Sequence, residues 1–179
     1  MHSDAVLLII DAQVGLLEGP PLAHRHREVL ARIGGLLARA RAANTPVIFV
    51  QHDEPCGPLE PGSLDWQLHP DLTRRSSELG DRKRACDAFF ETPLQRVNDA
   101  KERHYLVIAG LQTEYCIDTT CRRAVSLGYD VSLAADAHST TNSTTLAAEQ
   151  IIAHHNHLLN GFGNDQHVVA VLASDTATF

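Results

Sequence analysis

The stretch HYLVIAGLQTEYCIDTTCRRAVSLG, from His104 to Gly128, predicts the central strand, turn and helix of the fold. Leu106 to Ala109 is a short apolar run with a β-branched Val-Ile pair, which is typical of a parallel strand covered on both faces. Gly110 is predicted to end this strand. Apolar residues then recur at helical spacing, and Gly128 lies where a left-handed C-terminal cap is expected. Cys116 is therefore expected at or near the first turn of a helix.

The predicted position of Cys116 indicates a reactive thiol. Unpaired N–H groups and the positive end of the helix dipole favour a thiolate over a thiol at the start of a helix. The same N–H groups can hold an oxyanion, so this stretch offers both a nucleophile and the donors that stabilise its intermediate. The alternative interpretation is a buried cysteine that packs the helix against the sheet, since free cysteines are among the most buried residues.

Length and composition predict one globular domain that spans residues 1–179. A chain of 179 residues is long enough to bury most of its apolar surface without disulfides or a structural metal. The formal net charge of −7 argues against nucleic acid as a partner. No apolar run has the length of a membrane span, and no basic leader precedes the first strand, so we expect a cytoplasmic protein. The four cysteines show no CxxC pair and are predicted to be free thiols.

Strands and helices alternate along the first part of the chain. AVLLII, Ala5 to Ile10, predicts a buried strand that delivers Asp11 at its carboxyl end, and PVIFVQ, Pro46 to Gln51, predicts a second strand. His24 to Arg41 carries the apolar stripe of an amphipathic helix. A strand, helix and strand in this order require a parallel pair with a right-handed crossover.

The alternation continues after the long loop that follows the second strand. Lys83 lies in a segment that predicts an extra strand, and Thr92 with Pro93 predicts the start of a helix. The last predicted elements are a strand from Tyr129 with Asp136 and His138 just beyond its end, a helix from about Thr144 to Leu159, and a strand from Val168 to Ala173. Together these elements predict an α/β three-layer sandwich, in which helices cover both faces of a doubly wound, mostly parallel six-stranded sheet.

The long loop, His52 to Pro70, is rich in proline and glycine and leaves the carboxyl end of a strand. A loop of this length in a compact domain is typically functional, so we expect it to cover a ligand pocket. Trp66 is expected either to line that pocket or to anchor the loop against the core. Gln13 follows Asp11 by two residues and is expected to face the same crevice.

Three residues are expected to stand on one edge of the sheet. Asp11 ends the first strand, Lys83 lies between two crossovers, and Cys116 begins the helix after the fourth strand. If the first and fourth strands are neighbours, Asp11 and Cys116 face each other across the ligand crevice of a doubly wound sheet. A carboxylate beside a thiol can take its proton, and a nearby ammonium lowers the thiol pKa. This combination is a nucleophile with its base and its electrostatic partner.

The sequence resembles the isochorismatase-like cysteine hydrolases, a family that includes nicotinamidases and several small-amide amidohydrolases. The resemblance covers most of the chain and rests on IIDAQ, KRACDAF with the following TPL, and GLQTEYC, in this order. The segments LEPGSLDWQLHPDL, ADAHST and IIAHHN are also similar to this family. The resemblance implies a catalytic triad of Asp11, Lys83 and Cys116, and a cis peptide bond between Leu111 and Gln112.

The resemblance also implies a mechanism. The Cys116 thiolate, formed with Asp11 as base, attacks a carbonyl carbon, and the backbone N–H groups of Gln112 and Cys116 hold the oxyanion. An acyl thioester follows, which water releases. The residues expected to line the substrate pocket are Gln13, His52, Trp66, Phe89 and Tyr115. We therefore expect one isochorismatase-like hydrolase domain that cleaves a C–N bond of a small molecule, without cofactor, as a homo-oligomer.

The metal-binding pattern of the nicotinamidase subgroup is incomplete in this chain. The segment Asp53 to Pro55 lacks the histidine expected two residues after the aspartate. His52, Asp53 and His69 could still approach one another in space, but incomplete ligand spacing predicts no metal. The HHNH run, His154 to His157, lacks a paired carboxylate motif, and consecutive histidines on a helix point in different directions.

Other functions stay open from the sequence alone. One is an isochorismatase-type hydrolase of a vinyl ether, although some relatives with that activity lack the cysteine that this chain keeps as Cys116. A second is a thiol redox or sensor protein that uses Cys116 with Cys86 or Cys121. A third is a non-catalytic binding module, which a doubly wound fold alone does not exclude.

Overall fold

The computed structural model describes residues 4–179, in which six strands form one sheet. The strands are β1 (Ala5–Ile10), β2 (Val47–His52), β3 (Leu79–Lys83), β4 (Tyr105–Leu111), β5 (Asp130–Ser139) and β6 (Val169–Leu172). Their spatial order is β3-β2-β1-β4-β5-β6, and every neighbouring pair is parallel. The connections reverse direction between β1 and β4, which makes the sheet doubly wound with these two strands as neighbours.

Helices cover both faces of the sheet. They are α1 (Val14–Leu17), α2 (His26–Ala42), α3 (Leu94–Asp99), α4 (Asp118–Ser126) and α5 (Ala148–Leu159), and a π-helical turn (Thr113–Ile117) precedes α4. Among residues 4–179, no helix combines the length and the apolar character that crossing a membrane requires.

Alternate residues of β1 belong to different apolar layers. Leu7 and Ile9 pack with the buried side of α2, whereas Leu8 and Ile10 pack with residues of α3, α4 and α5. Successive side chains of a strand point to opposite faces, so a strand buried on both faces must be apolar at every position. This explains the unbroken run AVLLII and confirms the predicted three-layer α/β sandwich.

The strand β4 does not end at Gly110, as the sequence predicts, but continues to Leu111. Gly110 pairs with Ile10 at the carboxyl edge of the sheet and has a φ angle of 130°. A Cβ atom at this position would lie 1.9 Å from the carbonyl oxygen of Ile10. Glycine therefore allows β4 to stay close to β1 up to the point where Asp11 leaves the sheet.

The strand β5 is also longer than predicted and ends at Ser139. Asp136 and His138 therefore lie within the strand and not beyond it. The cause is a shift in pairing register between Ile108 and Gly110, after which β5 resumes pairing alongside β4, with His138 opposite Gly110. The register shift extends β5 to the edge of the sheet where the first turn after β4 begins.

The helix α5 begins at Ala148 and not near Thr144, as the sequence predicts. The preceding residues form a turn in which the Ser143 hydroxyl accepts a hydrogen bond from the Leu146 N–H at 2.8 Å. The side chain of Asn142 then accepts a hydrogen bond from the Ala148 N–H, also at 2.8 Å. Side chains of this kind stabilise turns in competition with a helix, which delays the start of α5.

Candidate active site

Asp11, Lys83 and Cys116 meet at the carboxyl edge of the sheet, as the sequence predicts. Asp11 follows β1, Lys83 is the last residue of β3, and Cys116 lies in the π-helical turn after β4. The Lys83 Nζ atom lies 2.7 Å from Asp11 Oδ2 and 3.0 Å from Cys116 Sγ. All three side chains are buried, so the ammonium contacts a carboxylate and a sulfur away from bulk water.

Asp11 extends the hydrogen-bonded ladder of β1 and then turns the chain. Its N–H donates to the carbonyl of Val50 at 2.8 Å, and its φ angle of 49° lies in the left-handed region. Aspartate adopts this region more readily than most residues. Asp11 Oδ2 accepts the hydrogen bond from Lys83, whereas Oδ1 has no hydrogen-bond partner within residues 4–179. A buried carboxylate oxygen is therefore free to accept a proton.

The turn that carries Cys116 begins at a cis peptide bond between Leu111 and Gln112. The carbonyl of Gln112 accepts a hydrogen bond from the Ile117 N–H at 3.2 Å, which closes a turn of π-helical width. Cys116 therefore lies in the first turn of the helical segment that continues as α4, in agreement with the sequence. Turns of this width occur frequently at functional sites.

The pKa values of this cluster correct one expectation from the sequence. Burial raises the pKa of the Cys116 thiol and the Asp11 carboxylate raises it further, whereas Lys83 lowers it. The ammonium lowers the thiol pKa, as the sequence predicts, but the net direction of this pKa is upward, so neither the ammonium nor the helix start is enough to favour the thiolate. The reason is that removal of the sulfur from water outweighs both effects.

Burial and neighbouring charges also shift the pKa values of Asp11 and Lys83, the two partners of the thiol. Burial raises the pKa of Asp11, and the nearby Lys83 charge opposes this without reversing it. Burial lowers the pKa of Lys83, but Asp11 and then Cys116 raise it to a net value above that of a free lysine. The resting site thus favours a neutral Cys116 thiol next to a carboxyl with raised proton affinity and a charged ammonium.

His52, the last residue of β2, is a fourth group in this cluster. Its Nδ1 atom lies 3.0 Å from Lys83 Nζ. Burial lowers the pKa of His52 and the Lys83 charge lowers it further, so the ring is neutral and its Nδ1 atom accepts from the ammonium. The three N–H bonds of Lys83 are therefore directed at His52, Asp11 and Cys116, which fixes the position of the ammonium.

The cluster has the spacing of metal ligands, but a lysine occupies its centre. The ligand atoms of Asp11, His52 and Cys116 lie within 4.8 Å of one another. Lys83 Nζ contacts all three and supplies a positive charge between them. A metal ion at this position would face a buried ammonium at contact distance, so these residues fit the ammonium and not a metal.

Two other residues considered as metal ligands make contacts within the protein. Asp53 accepts a hydrogen bond from Trp66 Nε1 at 2.8 Å and forms an ion pair with Arg82 at 2.7 Å. His69 Nε2 lies 3.3 Å from a carboxylate oxygen of Glu18. These contacts describe a structural role for Asp53 and His69 in the loop that follows β2.

Trp66 and Gln13 both hold this loop in place. Besides its bond to Asp53, the Trp66 ring packs under the Arg82 guanidinium at 5.2 Å, and these contacts join the loop to β3. The buried Gln13 amide donates to the carbonyls of His52 at 3.1 Å and Trp66 at 2.8 Å, and accepts from the His52 N–H at 2.8 Å. The polar atoms of Gln13 therefore join the loop to β2.

Phe89 and Tyr115 occupy contrasting positions. Phe89 is buried in the apolar layer that also contains Cys116, and its ring centroid lies 5.4 Å from that of Tyr129. Tyr115 precedes Cys116 in the chain but remains 53% exposed. Of these two residues, Phe89 forms part of the core beneath the site, and Tyr115 lies at the surface beside it.

Sequence reasoning did not identify a buried hydrogen-bonded chain behind the turn. The Thr113 hydroxyl lies 2.9 Å from His138 Nδ1, and His138 Nε2 lies 2.8 Å from Asn156 Oδ1. The Asn156 amide nitrogen donates to the carbonyl of Ala135 at 3.0 Å, so its oxygen accepts the Nε2–H of His138. Nδ1 of His138 therefore accepts the hydroxyl proton of Thr113, next to Gln112.

Burial keeps His138 neutral. Burial lowers the pKa of His138 to about 4, although its bond to Asn156 acts in the opposite direction. The sequence signal for these residues lay in the segments ADAHST and IIAHHN, which contain His138 and Asn156. Sequence patterns alone do not show that these two segments meet behind Thr113.

Two clefts open beside the cluster. The smaller, of about 190 Å³, is lined by Gln112 together with Leu16 and Glu54. The larger, of about 400 Å³, is lined by Lys83 together with Arg84 and Phe90.

Asp11, Lys83 and Cys116 therefore lie together at the switch point of a doubly wound sheet, which is where open α/β sheets bind their ligands. The chain belongs to the isochorismatase domain family, whose family model matches residues 5–159. This finding confirms the resemblance drawn from the sequence motifs.

Relatives with known names include hydrolases of different substrates. Streptothricin hydrolase from Streptomyces noursei is 36% identical over 135 residues, which are 75% of this chain and 49% of that protein. A secreted isochorismatase effector from Verticillium dahliae is 31% identical over 151 residues, 83% of this chain and 80% of that protein. Ureidoacrylate amidohydrolase from Klebsiella pneumoniae is 26% identical over 133 residues, 58% of this chain and 56% of that protein. The chain spans about half the length of the streptothricin hydrolase that it matches.

Solved structures show the same fold. The crystal structure of an isochorismatase family protein matches with a TM-score of 0.88 and 34% identity, and the match covers 97% of this chain and 100% of that one. An isochorismatase from Pseudomonas putida also gives a TM-score of 0.88, with 28% identity and coverage of 98% and 91% of the two chains. These matches confirm the predicted fold class over almost the whole chain.

Proposed function

We propose that this protein hydrolyses a C–N bond of a small amide with Cys116 as nucleophile. The observation that carries the proposal is the buried Lys83 ammonium, which contacts Asp11 Oδ2 at 2.7 Å and Cys116 Sγ at 3.0 Å. This contact brings a proton acceptor, a positive charge and a nucleophilic atom within reach of one substrate carbonyl. Asp11, Lys83 and Cys116 would act as a catalytic triad.

The first step is attack on the carbonyl carbon. The Cys116 Sγ atom forms a bond to carbon, the thiol proton passes to Asp11, and the π electrons of the carbonyl move onto its oxygen. The raised pKa of Asp11 suits it to hold this proton. The backbone N–H groups of Gln112 and Cys116 would stabilise the oxyanion, and loss of one such donor typically slows a reaction about a hundredfold or more.

The intermediate then breaks down in two stages. The C–N bond breaks as Asp11 returns its proton to the leaving nitrogen, which releases ammonia or an amine and leaves an acyl thioester on Cys116. Water attacks the thioester as Asp11 takes a proton from it, and the C–S bond breaks to give a carboxylic acid and a thiolate, to which Asp11 returns the proton. Lys83 stays positively charged throughout and stabilises whichever neighbour is negative.

The state of Cys116 supports a hydrolase over a redox sensor. Its side chain is only 7% exposed, and burial raises the pKa of its thiol. Sensor cysteines are typically accessible and have a low pKa, because the thiolate is the form that oxidants attack. A thiol with a buried general base suits chemistry that generates the thiolate only when a substrate is bound.

A substrate panel with two readouts tests the proposal. Wild-type protein is incubated with small primary amides, ureido compounds and isochorismate, and the release of ammonia and of pyruvate is measured. We expect ammonia from at least one amide or ureido compound, and loss of that activity in Asp11→Asn although Cys116 is still present by mass spectrometry of the alkylated, unfolded protein. Ammonia release that survives Asp11→Asn contradicts the mechanism.

Because the family is named after isochorismatase, cleavage of a vinyl ether is a second candidate for the function of this protein. It predicts pyruvate from isochorismate with no ammonia from any amide. Cys116→Ala separates the two candidates, because amide hydrolysis requires a nucleophile at this position. Pyruvate release that is unaffected by Cys116→Ala would favour the vinyl ether reaction.

We also propose that residues 1–179 form one hydrolase domain that acts on its small-molecule substrate as a cytoplasmic homo-oligomer. Two apolar layers that share a single sheet support the single domain. Light scattering coupled to size-exclusion chromatography tests the assembly, and a monomer at all concentrations contradicts it. Cell fractionation tests the cytoplasmic location. The relative in Verticillium dahliae is secreted, so recovery of this protein outside the cell would contradict the proposal.

A further inference from the structure

The smaller cleft contains a carboxylate that the proposed chemistry does not use. Most of the residues that line it are apolar or small, including Leu16, Pro21 and Leu59. Among its lining residues within the described chain, Glu54 alone carries a charge. Since Gln112 also lines this cleft, the charge of Glu54 lies in the same cavity as a proposed oxyanion donor.

Local contacts fix the position of Glu54. Its N–H donates to the carbonyl of Leu59 at 3.0 Å, and the Leu59 N–H in turn lies 3.3 Å from Glu54 Oε2. Glu54 Oε1 accepts no hydrogen bond from residues 4–179. Glu54 also acts on the His52 ring, where its charge opposes the lowering of the pKa by burial. One oxygen of a half-buried carboxylate is therefore held two residues beyond His52 and is available to a ligand.

The charge of Glu54 is not balanced within the cleft. The Lys83 ammonium is paired with Asp11, and Arg82 is paired with Asp53. A cation that enters an apolar cavity loses hydration and gains most from a nearby carboxylate, whereas an anion would be repelled by it. The apolar walls suit the methylene groups between such a cation and the amide that is cleaved.

We propose that Glu54 is a specificity-determining residue that selects amides with an ammonium or amidinium group at the end remote from the scissile bond. This inference rests on the proposed function, because it places the amide carbonyl at Gln112 and Cys116. It names the substrate class as small cationic amides. Glu54 would bind the cation, and Lys83 would keep its contacts with Asp11 and the Cys116 sulfur.

The larger cleft offers no comparable site for a cation alone. Arg84 and Glu91 both line it, both are exposed, and neither forms an ion pair with residues 4–179. A substrate that extended from Lys83 into that cleft would therefore meet charges of both signs. A clear preference for a cation at the remote end of the substrate thus indicates the smaller cleft.

Three amides of similar size test the inference. The probes are 4-aminobutanamide, which is cationic, pentanamide, which is its neutral isostere, and succinamate, which is anionic. For wild-type protein we expect kcat/KM from ammonia release to be about tenfold or more higher for 4-aminobutanamide than for pentanamide, the usual size of a charge-assisted contact. Glu54→Gln keeps an acceptor for the Leu59 N–H and should abolish this ratio, mainly through KM. Glu54→Asp keeps the charge and should retain part of the ratio.

The matched control is Glu60→Gln, which removes an exposed carboxylate from the same loop. It should leave the ratio at its wild-type value. A wild-type ratio near one, a ratio that Glu54→Gln does not change, or a preference for succinamate would each overturn the role of Glu54.

Binding to a Cys116→Ala background separates this inference from the proposed function. Calorimetry of 4-aminobutanamide and pentanamide, with and without the additional Glu54→Gln change, measures the selectivity without chemistry. Tighter binding of the cation that is lost with Glu54→Gln supports the inference even if the wild-type protein releases no ammonia. In that case the amidohydrolase proposal alone fails. Equal binding of the two probes overturns the role of Glu54.

Discussion

Lys83 Nζ lies 2.7 Å from Asp11 Oδ2, although the two residues are 72 positions apart in the chain and stand at the ends of strands that do not pair, β3 and β1. The strand β2 separates β3 from β1, so their backbones are roughly 10 Å apart, twice the usual strand spacing. A lysine stem is long enough to cross this distance over the end of β2. His52, which ends β2 and pairs with Lys83, then contacts the ammonium from the strand between them.

This arrangement predicts a large cost for the loss of Lys83 alone. Lys83→Met keeps the apolar stem but leaves Asp11 buried beside no cation, and breaking such a pair typically costs about 3 to 5 kcal/mol of stability. The double change Asp11→Asn with Lys83→Met removes the unpaired charge and should recover much of that loss. Denaturant titration of the two variants and the wild type measures the difference. A Lys83→Met variant as stable as the double variant would show that the pair is not coupled.

The thiol pKa can be tested through the rate of alkylation. Because the Asp11 carboxylate raises the pKa of Cys116, Asp11→Asn should lower that pKa and speed reaction of Cys116 with iodoacetamide at neutral pH. Lys83→Met should act in the opposite direction, because the ammonium favours the thiolate. Peptide mass spectrometry in a Cys56→Ser background, which lacks the exposed cysteine, gives the rates. Slower alkylation in Asp11→Asn than in wild type would contradict the electrostatic account.

The buried His138 predicts a pH dependence of stability. Its pKa is about 4 in the folded protein against 6.5 for an unperturbed histidine, so the unfolded chain binds the extra proton between these values. The free energy of unfolding should therefore rise with pH between these two values and stop rising above the upper one. The total gain in stability from His138 should be roughly 3 kcal/mol. Denaturant titrations from pH 4 to 7 should show the stability advantage of wild type over His138→Gln shrinking as the pH falls. Parallel curves for the two proteins would contradict the lowered pKa.

Gly110 should tolerate no side chain. A Cβ atom there would meet the Ile10 carbonyl oxygen at 1.9 Å, and the φ angle of 130° disfavours other residues. We expect Gly110→Ala to destabilise the protein by roughly 3 kcal/mol or more. Gly35 is the matched control, because a Cβ atom in that part of α2 meets nothing within 4 Å. Gly35→Ala should be neutral or stabilise the helix by about 0.5 to 1 kcal/mol, and equal effects of the two changes would refute the close approach of β4 to β1.

Sequence by itself determined the layers of this protein and the edge on which its chemistry is expected. Continuous apolar runs such as AVLLII identify strands buried on both faces, because alternate side chains of each strand must enter different apolar layers. Their alternation with amphipathic helices then requires parallel pairing, which brings every carboxyl end to one edge. Asp11 and Cys116 follow such strand ends in the sequence, so their proximity could be predicted from topology.

Only the tertiary structure decided the properties that depend on how distant residues pack together. The direction of the Cys116 pKa follows from burial, which the local helix start does not reveal. Likewise, the chain of hydrogen bonds through His138 and the lone carboxylate of Glu54 in its cleft join segments with no local pattern in common. Periodicity reports which face of an element is buried, whereas desolvation and hydrogen-bond geometry depend on the atoms that surround each group in three dimensions.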